Sequence, residues 1–480
     1  MRLSALIEGA SPDIEVTGIT ADSRAVKPGF LFAALPGTRS DGRAFADQAV
    51  AQGAVAILGP AGFTHPGVPV IADPEPRRRL ALIAAEFYAA QPPVAVAVTG
   101  TNGKSSTVDF YRQIWTRLGR RAASIGTLGV IADGMPAEPG LTTPDPVSLH
   151  ATLARLSAAG IERLAMEASS HGLDQFRLDG VRLVAGAFLN IAHEHLDYHG
   201  TMEAYFQAKL GLFQRVLPVG ATAVLNAHMA EHMAILRTCA SRGMRVLTFG
   251  SRPGLDLEVF ERRTMADGQR LGLLVQGVRR EVFLPLVGGF QAMNAVAALG
   301  LAIATGAAPD AAVAALGQLT GVPGRLQRVA RLPDGAAVYV DYAHKPEALR
   351  TVIDALRPFV TGRLIVVFGC GGDRDRTKRP MMGRIAGQMA DLAIVTDDNP
   401  RSEDPAAIRA EILAACPDAL EIGDRAEAIH HAVGLLRPGD AVLIAGKGHE
   451  QGQIIGTTLR PFDDAAVARA AAARRNGDAA

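Results

Sequence analysis

The stretch from residue 94 to residue 119, VAVAVTGTNGKSSTVDFYRQIWTRLG, constrains the fold of this 480-residue chain more than any other part. It begins with valine and alanine in alternation, which is typical of a short buried strand. After a turn that contains glycine, the apolar residues Val108, Tyr111, Trp115 and Leu118 recur at helical spacing. The order of strand, glycine loop and helix predicts an α/β fold with an anion-binding site at the loop.

The loop and the start of the helix carry residues suited to the phosphates of a nucleotide. Gly100 and Gly103 let the backbone approach an anion, and Lys104 adds a positive charge to the helix N-terminus. Ser105 is placed to hold Mg²⁺ through its hydroxyl. The usual pattern G-x-x-x-x-G-K-[ST] would need glycine at position 98, where this chain has Val98, so the match is to a more compact variant, TGTNGKS. A polar loop that only links strand to helix is the alternative interpretation.

Length, charge and cysteine content limit the classes of protein. The chain is long enough for about three domains. Lysine and arginine number 49 against 48 acidic residues, and this balance argues against nucleic acid or an anionic membrane as the main partner. Cys239, Cys370 and Cys416 form no C-x-x-C pair, which fits a reducing cytoplasm. We expect neither a signal peptide nor a transmembrane helix.

We expect three domains, at residues 1–91, 92–326 and 327–480. The first ends in the helical pattern PEPRRRLALIAAEFY and a Gln-Pro-Pro linker. The second alternates strands and helices, as a mostly parallel sheet does. The third repeats a strand that runs into a loop rich in Gly, Asp, Asn, Arg or His, the pattern of a Rossmann-like sheet. Its alanine-rich tail indicates a frayed helix.

Oxygen donors near the predicted strand ends favour Mg²⁺ over zinc. Glu167 ends one predicted strand, and His193, His195 and His199 follow another. The histidines lack the helical spacing of zinc proteases, and no cysteine joins them. A hard cation prefers oxygen, so Glu167 and Ser105 are the better donors. His195 is either an additional ligand or a hydrogen-bonded loop residue.

Taken together, the motifs resemble the Mur ligase family over almost the whole chain. The motifs in the family's order are TGTNGKSS, LTTP, MEASSHGL, HLDYHGTMEAYFQAK, GRLQRV, DYAHKPEAL, GCGGDRDRTKRP, DDNPR and AGKGHE. The resemblance implies an α/β fold of three domains: a small N-terminal α/β domain, a central P-loop ATPase-like parallel sheet and a C-terminal Rossmann-like domain. The tetrad DNPR is similar to that of members that add diaminopimelate.

The implied activity is ATP-dependent amide ligation in peptidoglycan precursor synthesis. Through an acyl phosphate, meso-diaminopimelate would be joined to the D-glutamyl carboxylate of UDP-N-acetylmuramoyl-L-alanyl-D-glutamate. The resemblance implies Mg²⁺ and ATP, small-molecule substrates only, a cytoplasmic location and a monomer.

The resemblance also assigns site residues in groups. Those on the ATP side are Gly100, Thr101, Asn102, Gly103, Lys104, Ser105, Ser106, Asn294, Arg325 and Asp341. Those for the UDP substrate are Ser23, Thr38, Arg39, Ser40, Thr142, Thr143, Ser169, Gln175 and Arg177. Those for diaminopimelate are Arg374, Asp398, Asn399, Pro400, Arg401, Gly446 and Glu450.

One lysine changes its interpretation through the resemblance. From spacing alone, Lys209 in the predicted helix TMEAYFQAKLGLFQRV is a solvated surface lysine. The resemblance implies instead that Lys209 is carbamylated and binds Mg²⁺ together with Ser105, Glu167 and His195. It implies catalytic roles for Lys104, His195 and Lys209.

Three residues depart from the family's pattern, and two other functions remain open. Glu194, Gln291 and Gln327 stand where many members have other residues. The first alternative is a related amide ligase, either a folylpolyglutamate synthetase or a lysine-adding Mur enzyme. The second is a nucleotide-binding regulatory protein that keeps the loop without chemistry.

Overall fold

The computed structural model describes residues 1–7, 12–37, 41–136, 138 and 140–477. The chain forms two compact units. Unit 1 comprises Met1–Glu258, Val275–Gly277 and Asn294–Ala315, and unit 2 comprises Val259–Leu274, Val278–Met293 and Leu316–Ala480. The three predicted domain boundaries stay a prediction. In the described part of the chain, no helix has the length and apolar character that crossing a bilayer would require.

The N-terminal part of unit 1 is a small parallel sheet of four strands in the order β1-β2-β3-β4. The strands are β1 Gly18–Thr20, β2 Phe30–Ala33, β3 Ala56–Pro60 and β4 Val70–Asp73. The helices are α1 Leu3–Leu6, α2 Ala46–Ala51 and α3 Pro76–Tyr88, with 3₁₀ turns at Ser23–Ala25 and Gly42–Phe45. The predicted helix before the Gln-Pro-Pro linker is therefore confirmed as α3.

The larger sheet of unit 1 surrounds the strand that leads into the glycine loop. Its strands are β5 Val94–Thr99, β6 Ala122–Gly126, β7 Gly129–Ala132, β8 Arg163–Glu167, β9 Ala185–Phe188, β10 Thr222–Asn226 and β11 Arg245–Gly250. They lie in the order β11-β10-β9-β5-β8-β6-β7, all parallel except β7, which runs antiparallel to β6. The predicted α/β fold with a mostly parallel sheet is confirmed.

Helices cover this sheet and one of them carries the loop's lysine. They are α4 Lys104–Arg117, α5 Pro146–Ala158, α6 Ser170–Asp174, α7 Leu196–His199, α8 Met202–Gly211 and α9 His232–Ser241, and α8 continues into a π-helical turn, Leu212–Val216. Helix α4 buries Val108, Tyr111 and Trp115, as their spacing predicted, and Leu118 is its C-cap. Burying each such large side chain stabilises the fold by about 2 kcal/mol.

A three-stranded segment and two helices follow in the chain. The strands are β12 Leu257–Met265, β13 Gly268–Val275 and β14 Val278–Leu284, and the helices are α10 Gly289–Ala304 and α11 Pro309–Leu316. The division into units passes through these elements. Within unit 1, the first two residues of β12 pair in parallel with the end of β11.

Unit 2 contains a second, mostly parallel sheet in the order β15-β16-β20-β17-β18-β19, in which β15 is antiparallel to β16. Its strands are β15 Gln327–Arg331, β16 Ala337–Asp341, β17 Leu364–Phe368, β18 Leu392–Val395, β19 Leu420–Glu421 and β20 Ala441–Ala445. An antiparallel hairpin, β21 Gly452–Ile455 and β22 Thr458–Pro461, follows. The helices are α12 Pro346–Leu356, α13 Lys378–Met389, α14 Pro405–Leu413, α15 Arg425–Gly434 and α16 Asp464–Asn476.

The predicted C-terminal helix is present as α16, but the expectation that it is frayed is wrong for the residues that the structure describes. Helix α16 buries Ala465, Ala468, Ala471 and Ala472, which lie on one face and pack in an apolar cluster with β16, β20 and α15. The aspartate Asp463 caps its N-terminus by accepting the backbone N–H groups of residues 465 and 466. A continuous small-residue face and a cap hold this helix in place.

Candidate active site

The glycine loop after β5 adopts a backbone that its glycines make possible. Gly100 and Gly103 have φ angles of 147° and 87°, which side chains with a Cβ rarely adopt. A Cβ at Gly103 would also collide with Oδ1 of Asn294 in α10. The ammonium of Lys104 folds back on its own loop, donating to the carbonyl oxygens of Gly100 at 2.8 Å and Thr101 at 2.9 Å.

The loop is held by residues that the sequence analysis did not single out. The N–H of Thr101 donates to the carbonyl of Asn190 at 3.0 Å, and the N–H of Asn102 donates to the Asn190 side-chain oxygen at 2.8 Å. The Thr101 hydroxyl lies 3.1 Å from the Tyr205 hydroxyl, and Ser106 is buried at the start of α4. Asn190 closely follows β9, so its position after a predicted strand was the available signal.

Glu167 lies at the carboxyl end of β8, beside the loop. The register pairs Glu167 with Val98 of β5. Its carboxylate, in a residue only 2% exposed, accepts the Ser105 hydroxyl at 2.8 Å and the Thr127 N–H at 2.8 Å on Oε1. The Thr127 hydroxyl donates to Oε2 at 3.3 Å. The structure therefore brings together Ser105 and Glu167, two of the four predicted metal ligands, and adds Thr127.

Lys209 is not a solvated surface lysine, and that interpretation from spacing is wrong. The residue is 1% exposed in α8, and its ammonium nitrogen donates to the Gly100 carbonyl at 2.8 Å. The nitrogen also lies 4.7 Å from the centre of the Tyr205 ring. Burial, and next the neighbouring charge of Lys104, hold the pKa of Lys209 well below its ordinary value. The predicted catalytic residues Lys104 and Lys209 thus meet at one carbonyl oxygen.

His195 lies in an aromatic cluster next to α8. It has a left-handed backbone with φ 57°, and its ring is 4.9 Å from the His171 ring and 6.1 Å from the Tyr205 ring. The Oε2 atom of Glu194 lies 3.9 Å from Nε2 of His195. Among the residues that the structure describes, no three His, Cys, Asp or Glu side chains form a metal-binding group. The predicted metal role of His195 stays a prediction.

Several residues predicted for the UDP substrate lie beside Glu167. The Thr143 hydroxyl donates to the Glu167 carbonyl at 2.8 Å and accepts the Ser169 N–H at 3.1 Å. The Thr142 and Thr127 hydroxyls are 3.0 Å apart. These hydrogen bonds join Thr127, Thr142, Thr143, Glu167 and Ser169 into one connected shell, which lies between the glycine loop and the N-terminus of α6.

A cavity of about 430 Å³ in unit 1 contains two more of the predicted residues. Gln175 and Arg177 line it, and the Arg177 guanidinium donates to Gln175 Oε1 at 2.8 Å. Asp22 and Arg77 line it too, whereas the Ser23 hydroxyl is directed to Gln48 at 3.4 Å. The predicted residues Thr38, Arg39 and Ser40 lie outside the described residues.

Unit 2 has a cavity of about 490 Å³ at the carboxyl ends of its parallel strands. Six of the seven residues predicted for diaminopimelate line it: Arg374, Asp398, Asn399, Arg401, Gly446 and Glu450. Pro400 is buried and is not part of the lining. The wall also includes Tyr342, His344, Lys345, Lys378 and Asp375, which the sequence analysis did not assign.

Arg401 is held in a strained position at this cavity. Its φ of 51° is in the left-handed region, and its guanidinium donates to the Gly372 carbonyl at 2.9 Å. A non-glycine residue in that region costs about 1 kcal/mol or more, and such strain clusters at functional sites. Gly446, with φ 120°, has no room for a Cβ, which would lie 2.9 Å from Asp398 Oδ2.

The two remaining residues that were predicted for the ATP side, Arg325 and Asp341, belong to unit 2. Asp341 at the end of β16 accepts the N–H groups of Leu326 at 2.6 Å and Ala343 at 2.7 Å. Burial raises the pKa of Asp341 to about 6, and the nearby charge of Arg325 opposes that rise. Of the departures from the family pattern, Gln291 donates to the Arg325 carbonyl at 2.8 Å and Gln327 accepts the Gly324 N–H at 3.1 Å.

These features define a class: an α/β protein with a nucleotide-type glycine loop and a separate, charged cavity of small-molecule size. Family models match most of the chain: the Mur ligase family catalytic domain at residues 15–88, the Mur ligase middle domain at 98–302 and the Mur ligase glutamate ligase domain at 324–448. The chain belongs to the Mur ligase family.

Relatives in that family match almost the full length. A UDP-N-acetylmuramoyl-L-alanyl-D-glutamate–2,6-diaminopimelate ligase from Mesorhizobium japonicum is 52% identical over 98% of this chain and 97% of its own. The enzyme of the same name from Caulobacter vibrioides is 53% identical over 95% of each chain. A solved structure of a ligase of that name covers 99% of both chains at 33% identity, with a TM-score of 0.77.

More distant structures share the fold. The MurF ligase from Thermotoga maritima in complex with ADP is 21% identical over 96% of this chain and 97% of its own, with a TM-score of 0.61. At this identity the likeness speaks for the fold alone.

Proposed function

We propose that this chain is an ATP-dependent amide ligase that joins meso-diaminopimelate to UDP-N-acetylmuramoyl-L-alanyl-D-glutamate. A carboxylate does not condense with an amine at neutral pH because its oxygen is a poor leaving group. Transfer of the γ-phosphoryl group of ATP to the D-glutamyl carboxylate gives an acyl phosphate and ADP. The amine then attacks the acyl carbon, the amide forms, and phosphate leaves. The product would be a precursor of peptidoglycan.

The charged cavity of unit 2 is the observation that carries this proposal. Each end of diaminopimelate has an ammonium and a carboxylate, so its pocket needs acceptors and donors together. Asp398 and Glu450 provide carboxylates, while Arg374 and Arg401 provide guanidinium groups, which match carboxylates in a two-pronged geometry. The names of the relatives at 52% and 53% identity support diaminopimelate as the amino acid.

The glycine loop of unit 1 is the proposed phosphate site. Its backbone N–H groups and the N-terminus of α4 attract anions. We propose that Lys104 exchanges its bonds to the loop carbonyls for bonds to the phosphates, where its charge stabilises the transferring group. Asn294 supports the loop at Gly103. The sequence also assigned Arg325 and Asp341 to the ATP side, and those assignments stay predictions.

The oxygen donors beside the loop fit Mg²⁺. The Ser105 hydroxyl and the Glu167 carboxylate are 2.8 Å apart and buried at a helix N-terminus, and hydroxyl, carboxylate and phosphate oxygens are the donors that Mg²⁺ prefers. We propose Ser105, Glu167, His195 and Lys209 as the residues that would hold it. Bound there, the ion would supply charge neutralisation for the phosphates.

The proposed carbamate on Lys209 follows from the position of its amine. Lys209 is buried, and it shares the Gly100 carbonyl oxygen with Lys104. These conditions favour a neutral amine, which adds carbon dioxide, releases a proton and becomes a carbamate. The modification replaces a cation by oxygen donors, which suits the metal site that we propose.

For the UDP substrate we propose the cavity of unit 1 and the shell beside Glu167. Gln175 and Arg177 line the cavity, and Thr142, Thr143 and Ser169 form the shell. The sequence also assigned Ser23, Thr38, Arg39 and Ser40 to this substrate, and those assignments stay predictions. We further propose that the protein acts as a monomer in the cytoplasm. Its three cysteines are free, buried thiols, the state that a reducing compartment maintains.

Release of ADP tests the proposed function. Purified protein with ATP and Mg²⁺ should form ADP only when both the UDP-dipeptide and meso-diaminopimelate are present, and mass spectrometry should detect the amide product. L-lysine in place of meso-diaminopimelate should give little product. Hydrolysis of ATP that needs neither substrate would contradict a ligase and favour a regulatory nucleotide-binding protein.

A further inference from the structure

A buried cation for which the proposed function has no role lies directly behind the wall of the unit 2 cavity. Lys447 follows β20 in the AGKGHE motif, and its side chain is 0% exposed. A lysine is almost never fully buried unless its charge is paired. The partners of this ammonium therefore indicate what the residue does.

All three partners of the Lys447 ammonium are residues that line the cavity. Its Nζ donates to Asn399 Oδ1 at 2.9 Å and to Glu450 Oε2 at 3.3 Å, and lies 3.5 Å from Asp398 Oδ1. An ammonium has three N–H donors; here two of them bond to Asn399 and Glu450, and Asp398 adds an ionic contact. One buried cation thus connects the acceptor side chains of the cavity, on two different loops.

These bonds fix how the acceptors are presented. The Asn399 oxygen accepts Lys447 and also the Ile454 N–H at 2.9 Å, so the amide nitrogen is directed to Glu450 Oε2 at 3.2 Å. Glu450 Oε2 consequently receives two donors, which sets the plane of its carboxylate. Without the Lys447 cation, the carboxylates of Asp398 and Glu450 would be two negative charges that line the same cavity, and they would repel each other.

We propose that Lys447 is a positioning residue that gives the cavity its selectivity for the configuration of diaminopimelate. The inference rests on the proposed function. Reversing the configuration at one carbon exchanges the positions of its substituents, so a site that holds its acceptors and its guanidinium groups at fixed positions accepts only one arrangement. Lys447 supplies the rigidity of the acceptors, and Arg374 and Arg401 line the same cavity.

The experiment compares the wild type with Lys447→Met, which keeps the length of the side chain and removes its charge. The Michaelis constants of ATP, the UDP-dipeptide and meso-diaminopimelate are measured, together with the ratio of kcat/KM for meso- over LL-diaminopimelate. Arg363→Met is the matched control, because the Arg363–Asp440 ion pair lies at the opposite end of β20. Activity of the wild type with all three substrates tests the proposed function separately.

Removal of one partner from a buried charge network should raise the Michaelis constant of meso-diaminopimelate about 30-fold or more. The meso to LL ratio should fall by about tenfold, while the constants for ATP and the UDP-dipeptide stay within a factor of two and Arg363→Met behaves like wild type. If Lys447→Met fails to fold, Lys447→Gln, which keeps an amide donor, takes its place.

Other outcomes overturn the inference. An unchanged meso to LL ratio would show that Lys447 does not govern selectivity. An equal rise in all three Michaelis constants, or the failure of both variants to fold, would assign the lysine to the fold alone. Lack of activity in the wild type would instead contradict the proposed function.

Discussion

At the scale of single residues, the pair Lys104 and Lys209 is the most consequential arrangement of unit 1. Both ammonium nitrogens lie 2.8 Å from the same carbonyl oxygen, that of Gly100. Two positive charges that lie next to the same carbonyl oxygen repel each other, and burial adds a desolvation cost for the charged form of Lys209. Both effects lower the pKa of Lys209, and a neutral amine is the form that the proposed reaction with carbon dioxide needs.

Replacing Lys209 tests this chemistry. We expect Lys209→Ala to lose activity by about 100-fold or more, the size of effect that removing an electrostatic group from an active site has. Added bicarbonate should not restore it, whereas wild type depleted of carbon dioxide should regain activity with bicarbonate. Lys27→Ala, at an exposed lysine of unit 1, is the control. Full activity of Lys209→Ala would exclude the carbamate.

We expect the buried ring of His150 in α5 to lower the stability of unit 1 in acid. Its ring is buried and 3.3 Å from the Asp179 carbonyl, and burial lowers the pKa from 6.5 to about 4. The folded protein keeps the ring neutral where the unfolded chain takes up a proton. Stability is therefore present above pH 6.5 and is lost as the pH falls to 4, by about 3 kcal/mol in total.

The variant His150→Gln separates this effect from packing. At pH 7.5 the variant should melt below wild type because it loses buried contacts. Toward pH 4.5 the difference in melting temperature should narrow, since only wild type has the buried ring. His431→Gln, at an exposed residue, should give a constant difference. A constant difference for His150→Gln as well would contradict the assignment.

At the scale of elements, the loop between β5 and α4 depends on Gly103 in a way that the turn after α4 does not depend on Gly119. Gly103 and Gly119 both have positive φ, of 87° and 75°, but only at Gly103 would a Cβ meet another residue, Asn294. Alanine at either position costs about 1 kcal/mol through its backbone. We expect Gly103→Ala to lose nucleotide binding as well, and Gly119→Ala to retain it.

Titration with a fluorescent ATP analogue, together with melting curves, checks the glycine prediction. Equal nucleotide affinities in the two variants would show that strain, and not the space at Asn294, determines the effect.

The elements that the sequence predicted are those with local patterns. The strand and helix around the glycine loop, the parallel strands of unit 2 and the helix at α3 follow from periodicity. The burial of Lys209 does not follow from periodicity, because the sequence of a helix does not show which loop will cover its lysine. Thr127 and Asn190 contact the site through strands that are distant in sequence, and such pairings need the sheet order. The packing of the C-terminal helix α16 was not predicted because a run of alanine gives only a weak signal of burial.

At the scale of the whole molecule, a buried ion pair connects the C-terminal helix with the charged cavity of unit 2. Arg425 and Asp464 are both 0% exposed and form two bonds of 2.7 Å. The Arg425 guanidinium also donates to the carbonyls of Ala445 at 3.0 Å and Asp397 at 3.4 Å. Ala445 and Asp397 directly precede the cavity residues Gly446 and Asp398. Helix α16 therefore supports, through Arg425, the backbone that leads into the cavity wall.

Removing the acid of this pair should affect both stability and binding. We expect Asp464→Asn to destabilise unit 2 by about 3–5 kcal/mol, since it leaves a buried charge without its partner, and to raise the Michaelis constant of meso-diaminopimelate. Asp334→Asn, in the partly exposed Arg475–Asp334 pair of the same helix, should cost about 1 kcal/mol or less. Melting curves and steady-state kinetics measure both effects, and equal behaviour of the two variants would contradict the prediction.

The Arg425–Asp464 pair also has a consequence for how the protein is made in the cell. Domains generally fold in order as the ribosome synthesises the chain, and residue 464 emerges long after the glycine loop at residues 99–106. The glycine loop of unit 1 is complete hundreds of residues earlier. A nascent chain can therefore assemble its glycine loop before the cavity of unit 2 acquires this support, which comes only after Asp464 has emerged.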